Sequence, residues 1–261
     1  MSDNLTIEGK ARIDIINAAY SAGKNGAHIA PSLSDVDICL AVLSNFDEKA
    51  DSFILSKGHG ALGYYAAMHQ LGIITDEQFD SFEKNGGNFP GQPSRRPDNK
   101  VEYSSGSLGM GLPYALGVAM AKRLSNATVY VVVGDGELNE GSNWEAAALI
   151  SKYELDNLVV IVDNNGLQSD GICKEIVNQD LPSLWKAYGW QVEECDGHSL
   201  SQLSETIKTA HKQKPLVIIA NTVKGKGISF MENNNAWHHS VLKEDDYKKA
   251  VEEIGGTYGL Y

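Results

Sequence analysis

The sequence predicts an α/β protein, a parallel sheet flanked by helices on both faces. Three features carry that prediction. Apolar runs at 128–133 and 158–163 and in "PLVIIANTV" have the length and β-branched content of buried strands. Segments of helical spacing alternate with them, which suits the crossover connections that parallel strands require. One run, "VYVVVGDGELNEG", ends in a glycine turn at a strand's carboxyl end, the edge where such sheets bind ligands.

The elements follow in order. Residues 5–20 carry apolar groups at helical spacing, and Ser34 reads as the cap of a helix running to about Phe46. "TDEQ" at 75–78 is a capping box, so the first third is mostly helical. A glycine-rich helix from 106 to about Leu124 leads to the strand at 128–133, a helix near 142–153 and the strand at 158–163, together a βαβ unit. "GWQVEEC" is a strand, Ser199 opens a helix to about Lys212, and "PLVIIANTV" is a strand apolar on both faces. No repeat or low-complexity linker interrupts the 261 residues, so residues 1–261 read as one domain.

Composition narrows the function. A formal net charge of −12 repels nucleic acid and anionic lipid, and basic residues form no run longer than pairs such as Arg95-Arg96. No apolar stretch reaches the ~18–20 residues of a membrane helix, and the polar start "MSDNLTIEGK" lacks a signal-peptide core. A cytoplasmic protein is expected. Cys39, Cys173 and Cys195 are odd in number and widely spaced, and read as reduced structural thiols.

The glycine turn poses a chemical conflict. It has the shape of an anion cradle, yet it carries Asp135, Glu137 and Glu140. Gly134 and Gly136 lack the third glycine of a dinucleotide fingerprint, and no P-loop occurs anywhere in the chain. A divalent cation between carboxylate and diphosphate resolves the conflict, since Mg²⁺ takes one or two protein carboxylates plus phosphate oxygens. Ca²⁺ accepts the same ligands. The next strand should supply a second oxygen, and "VIVDNNGLQSDG" offers Asn164, Asn165 and the Leu167 carbonyl.

Gly134-Asp135-Gly136, followed after 27 residues by Asn164-Asn165, resembles the signature of thiamine-diphosphate enzymes. "HIAPSLSDVDI", "LSKGHGALGYYA", "SSGSLGMGLPYALGVAMA" and "TVKGKGISFMENNNAWHHSVLKEDD" resemble, in the same order, motifs of the transketolase family. The likeness covers roughly Ile13 to Asp246. It implies the thiamine diphosphate-binding fold, in its diphosphate-binding domain. Asp135, Asn165 and the Leu167 carbonyl would hold Mg²⁺, and Gly134 and Gly136 would let the diphosphate lie against the turn. His59 and His238 would reach the diphosphate or donor sugar, with His28 lining the substrate channel. Gly106, Ser107 and Leu108 would pack beside the cofactor, with serine where many relatives have proline. Glu140, on the cofactor-side turn, matches a glutamate of an acidic network between subunits.

The family's ylid-forming glutamate lies on a pyrimidine-binding domain for which this sequence has no counterpart. The resemblance therefore implies the N-terminal subunit of a split transketolase. Its partner would carry the pyrimidine-binding and C-terminal domains, in a heterotetramer of two of each. Sugar substrates would exchange a two-carbon ketol unit. In "FPGQPSRRPD", Gln92 stands where relatives have a histidine contacting the donor, which puts the usual pentose-phosphate donor in question. Arg95 and Arg96 follow as either a substrate-anion pair or a solvated loop. His69, His198 and His211 lie in no motif and default to surface or helix positions. Other readings stay open: the α chain of a 2-oxo acid dehydrogenase, a 1-deoxyxylulose-phosphate synthase, and a non-catalytic cofactor-binding module.

Overall fold

The computed structural model describes residues 5–210 and 213–255. Its first elements are α1 (Ile7–Ser21), α2 (Ile29–Ser44), β1 (Ser52–Leu55), α3 (Ala61–Gln70), α4 (Asp76–Phe79) and α5 (Gly111–Lys122). Next come β2 (Val129–Gly134), α6 (Gly141–Lys152), β3 (Leu158–Asn164), the short pair β4 (Leu167–Gln168) and β5 (Gly171–Ile172), and α7 (Cys173–Ile176). The remainder is α8 (Leu181–Ala187), β6 (Gln191–Asp196), α9 (Leu200–Ile207), β7 (Leu216–Asn221) and α10 (Glu244–Ile254).

Five strands form one parallel sheet in the order β1-β2-β3-β7-β6. The register sets Gly134 beside Asp163 and Asn164 beside Asn221, so the carboxyl ends of β2, β3 and β7 are level. Loops leaving these strands therefore emerge side by side along one edge. Alternation along each strand divides the buried residues between two faces. Phe53, Tyr130, Val132, Ile161 and Ile218 face a core shared with α1, α2, α3, α9 and α10. Val131, Val133, Val160, Val162 and Ile219 face a second core with α5, α6 and α8. Such runs, apolar on both faces, are what a parallel sheet covered on both sides requires.

Helix α2 is buried from Ile29 through Leu43, which explains its weak amphipathic periodicity. It begins well before Ser34, so the expected cap is wrong: Ser34 lies inside the helix and turns its hydroxyl toward the sheet. Strand β1 has no counterpart in the sequence reading, because the four residues of "SFIL" fall below the length at which a pattern is readable. The glycine-rich helix starts at Gly111 rather than 106, since Gly109 at φ +81° holds residues 106–110 in a loop. The capping box at Thr75 is present, with Gln78 answering Thr75 N–H at 2.9 Å, although the helix it opens is a single turn. Ser199 caps α9, which ends at Ile207 rather than near Lys212; Lys212 and His211 lie outside the described residues. No described helix is long and apolar enough to cross a membrane.

Two histidines outside any motif are structural links, His69 from a helix position as expected and His198 from the turn before α9. His198 Nδ1 meets Asp37 of α2 at 2.7 Å, and its Nε2 accepts Val223 N–H at 2.8 Å. His69 on α3 reaches Asp14 of α1 at 2.7 Å and Asp76 of α4 at 2.9 Å, and stacks on Phe79. The Asp14 hydrogen bond, opposed by burial and aided by Asp76, raises the His69 pKa to about 9. Its unfolded value is near 6.5, so the stabilisation is complete below that pH and is lost as pH rises through about 9. Because the site is half open and Asp76 is exposed, His69→Gln should cost about 1 kcal/mol at pH 6, roughly 2–4 °C in melting temperature. Thermal melts should show that difference closing by pH 10.

Candidate functional site

The site stands on the level strand ends. β2 delivers Gly134, Asp135 and Gly136; β3 delivers Asp163 and Asn165; the segment after β1 delivers Lys57 and His59; the segment after β7 delivers Lys224. Asp135 is buried, its Oδ1 accepting Gly136 N–H at 2.8 Å and its Oδ2 accepting Gly166 N–H at 2.6 Å. The second bond ties the turn carrying Asn165 to the turn carrying Asp135. Burial, then the neighbouring Asp163, push the Asp135 pKa up to about 6. An ionised Asp135 thus calls for positive charge.

The oxygens around this turn fit a hard cation. Carboxylate, amide and main-chain carbonyl from Asp135, Asn165 and Leu167 are the donor types Mg²⁺ and Ca²⁺ take. Among the described residues no cluster of three His, Cys, Asp or Glu side chains could hold a metal alone, so further ligands would come from substrate and water. Asn164 is spent elsewhere, its Nδ2 donating to Asn221 Oδ1 at 2.8 Å, which separates it from Asn165. Gly136 must be glycine, since a Cβ there would lie 2.7 Å from Gln168 Cβ.

A pocket of about 240 Å³ opens at this point, lined by Asp135, Gly136, Asn165, Lys224, His59 and His238. Lys224 is 2% exposed, and among the described residues its ammonium makes only a long hydrogen bond, 3.4 Å, to Asn235 Oδ1. Burial, then repulsion from Lys57, lower its pKa to about 8. A buried ammonium so poorly partnered is expensive unless an anion joins it.

The histidines are gathered by a backbone bridge. Ala27 N–H donates to Ser240 O at 3.0 Å and Ser240 N–H to Ala27 O at 3.1 Å, which brings the 238–240 segment against His28, whose ring centroid lies 4.6 Å from that of His239. Ring centroids lie 5.4 Å apart for His28 and His238, 5.3 Å for His59 and His238, and 6.2 Å for His28 and His59. Burial pulls the His28 pKa down to about 4, that of His238 to about 3, and that of His59 well below 6.5. All three are neutral imidazoles at neutral pH. His238 Nδ1 is buried without a partner among the described residues, whereas His239 is exposed, which favours His238 for the ligand.

Beneath the pocket lie charged groups that sequence reasoning missed. Lys57, fully buried, pairs with Asp163 and sits 3.0 Å from Asp35 Oδ2. Burial opposes ionisation of both partners, but each holds the other charged, so Lys57 is raised and Asp163 lowered. Burial, only partly offset by Lys57, lifts Asp35 to about 8. Glu137 accepts hydrogen bonds from Ser56, from Gly109 N–H at 2.9 Å and from Gly134 N–H at 3.1 Å, pinning the 106–110 loop to the glycine turn. The signal that could have found them is a lysine inside the glycine-rich "SKGHG" and a carboxylate directly before "NN".

The remaining expected residues are more scattered. Leu108 and Glu140 border the pocket, while Gly106 and Ser107 are exposed on the same loop. Gln92 packs over Gly58, beside His59, with Oε1 buried and unpartnered. The Arg96 guanidinium is engaged by the Gly87 carbonyl at 3.1 Å and Arg95 is exposed, which supports the solvated-loop reading. Cys39 and Cys195 are buried free thiols. Cys173 hydrogen-bonds Asp135, and burial with that carboxylate pushes its pKa to about 12, leaving an inert thiol at the rim.

Fold and site together define an α/β diphosphate-binding protein whose ligand edge combines an oxygen-donor turn with a histidine cluster. More particularly, the chain belongs to the transketolase family: the family model described as "Transketolase, thiamine diphosphate binding domain" matches residues 43–258. It is 40% identical to a subunit of the apulose-4-phosphate transketolase of Actinobacillus succinogenes, over 97% of this chain and 96% of that protein. It is 35% identical to the 6-deoxy-6-sulfo-D-fructose transketolase subunit SqwG of a Clostridium species, over 89% and 90%. Transketolase from Campylobacter jejuni superposes with a TM-score of 0.84 at 27% identity, covering 97% of this chain but 43% of that one. The chain thus spans about two fifths of that solved transketolase.

The low histidine pKa values have a consequence for acid stability. The unfolded chain takes up protons near pH 6.5 and the folded chain resists them, so stability should fall as pH drops below 6.5. After discounting for the partial exposure of His28 and His238, the three should together cost roughly 2 kcal/mol between pH 7 and 5.5. Urea titrations should show this loss reduced in His28→Gln and His238→Gln.

Proposed function

We propose that this chain is the N-terminal, diphosphate-binding subunit of a two-polypeptide transketolase. It would move a two-carbon ketol unit from an anionic ketose to an aldose, using thiamine diphosphate and Mg²⁺. One observation carries the reading: a single pocket sets a cation-demanding carboxylate, Asp135, alongside a poorly partnered buried lysine, Lys224. A metal diphosphate satisfies both demands at once.

In this reading Asp135, Asn165 and the Leu167 carbonyl hold Mg²⁺, with Ca²⁺ an acceptable substitute. Gly134 and Gly136 give the diphosphate room, and Lys224 and His59 neutralise and hydrogen-bond it. Gly106, Ser107 and Leu108 border the cofactor, and Glu140 faces the subunit interface. Thiamine diphosphate, when bound, supplies a thiazolium that takes up the electron pair left when the ketose C2–C3 bond breaks. Neutral His28 and His238 hold the sugar hydroxyls and move their protons, as imidazoles near neutrality can. Gln92 hydrogen-bonds the donor near C1 and C2 without carrying charge.

Similar proteins of nearly this length are themselves named as transketolase subunits, which supports a separate partner carrying the pyrimidine-binding and C-terminal domains. Two of each would form a heterotetramer. The names of those relatives specify a ketose phosphate and a sulfonated ketose, which supports an anionic donor. Three free cysteines favour the cytoplasm, and residues 1–261 act as one domain.

Calorimetric titration of thiamine diphosphate and Mg²⁺ into this chain, alone and with the polypeptide encoded beside it, tests the proposal. Binding should appear or tighten with the partner and vanish in Asp135→Ala; no binding in either preparation overturns the reading. Lys224→Met should weaken the cofactor by roughly 10- to 100-fold while leaving the apoprotein at least as stable, because the substitution removes a buried charge. Gln92→His should change relative rates across a panel of ketose donors. Unchanged ratios would exclude a role for Gln92 in donor choice.

A further inference from the structure

Ser34 and Asp163, one expected only as a helix cap and the other unassigned, meet in a single buried arrangement. Asp163 Oδ2 accepts from Ser34 Oγ at 2.6 Å, from Lys57 Nζ and from Asn165 Nδ2 at 3.1 Å. Its Oδ1 accepts from Thr222 Oγ1. The Pro31 carbonyl also lies 2.9 Å from Ser34 Oγ, but a hydroxyl has one proton, and the charged, nearer carboxylate claims it. Donors from α2, from the end of β1 and from the end of β7 therefore fix one carboxylate in both tilt and rotation. That carboxylate then acts on Asn165.

The amide of Asn165 has two faces, and only one is compatible with Asp163. Its NH₂ donates to the carboxylate, so Oδ1 turns away and accepts Leu167 N–H at 3.0 Å, in the turn whose Gly166 N–H holds Asp135. A flipped amide would set oxygen against carboxylate oxygen. We propose that Asp163, clamped by Ser34, Lys57 and Thr222, is a positioning residue that selects the Asn165 amide orientation and so presets the cation site. The proposal rests on Asn165 being a metal ligand, part of the function proposed for the pocket. A carboxylate behind a ligand commonly works this way, and its loss costs about 10- to 100-fold in metal affinity.

Breaking the Lys57–Asp163 pair directly risks unfolding the chain, so the test uses Ser34→Ala and Thr222→Val, singly and together, in the full chain. Two quantities are read: Mg²⁺ affinity by calorimetry at saturating thiamine diphosphate, in the preparation where wild type binds, and cofactor-free hydrogen exchange at the Leu167 amide. The double variant should bind Mg²⁺ about tenfold more weakly and exchange Leu167 faster, and restoring a hydroxyl with Thr222→Ser should recover both. A purely structural role would lower melting temperature and leave Mg²⁺ affinity within about twofold of wild type well below the melt. That result overturns the proposal whatever Leu167 does. A wild-type chain that takes up no Mg²⁺ in any preparation removes the cation site itself, a failure distinguishable from variants that bind normally.

Discussion

The ion pair between Lys57 and Asp163 is the contact around which the rest of the ligand edge is arranged. Both side chains are fully buried, so each would be forbidden without the other. Taking two charges out of water offsets much of their attraction, and the pair adds little net stability. Its effect is on geometry. It locks the carboxyl end of β1 to that of β3, and Asp163 also takes hydroxyls from α2 and from the segment after β7. Apolar contacts alone tolerate sliding; a buried charge with directed donors does not.

Charge explains the pocket above this foundation. The chain is strongly acidic overall, yet the ligand edge keeps Lys57 and Lys224 together with three neutral imidazoles. Lys57 is neutralised from within the protein and Lys224 is not, a difference that separates the structural lysine from the one open to a ligand. Opposite Lys224, Asp135 shows the converse, a carboxylate whose donors are backbone N–H groups and a thiol. The acidic residues of the glycine turn thus divide three ways. Asp135 lines the pocket, Glu137 braces the neighbouring loop, and Glu140 is exposed at the rim.

Legibility from sequence follows physical range. Strands β2, β3 and β7 are readable because each is a long apolar run with a defined end, and the motif residues of the glycine turn, of "NN" and of His59 gather along one edge as parallel pairing requires. Ser34 misleads because a serine before an apolar run looks the same whether it caps a helix or bonds a carboxylate 129 residues away. β1 is too short to show a period. Lys57, Asp163 and Lys224 escape because sequence shows charge but not burial, and burial is what separates a site lysine from a surface one.

The bridge between Ala27 and Ser240 also governs when the site comes into being. It joins segments more than two hundred positions apart and brings His28 against both His238 and His239. Contacts of such long range close late, after the loop entropy between them has been overcome. During synthesis the β1 and β2 segments with Lys57 and Asp135 emerge while β7, Lys224 and His238 are still inside the ribosome. The turn carrying Asp135 can thus form ahead of Thr222, Lys224 and His238, and the pocket is closed only by the segments that follow β6.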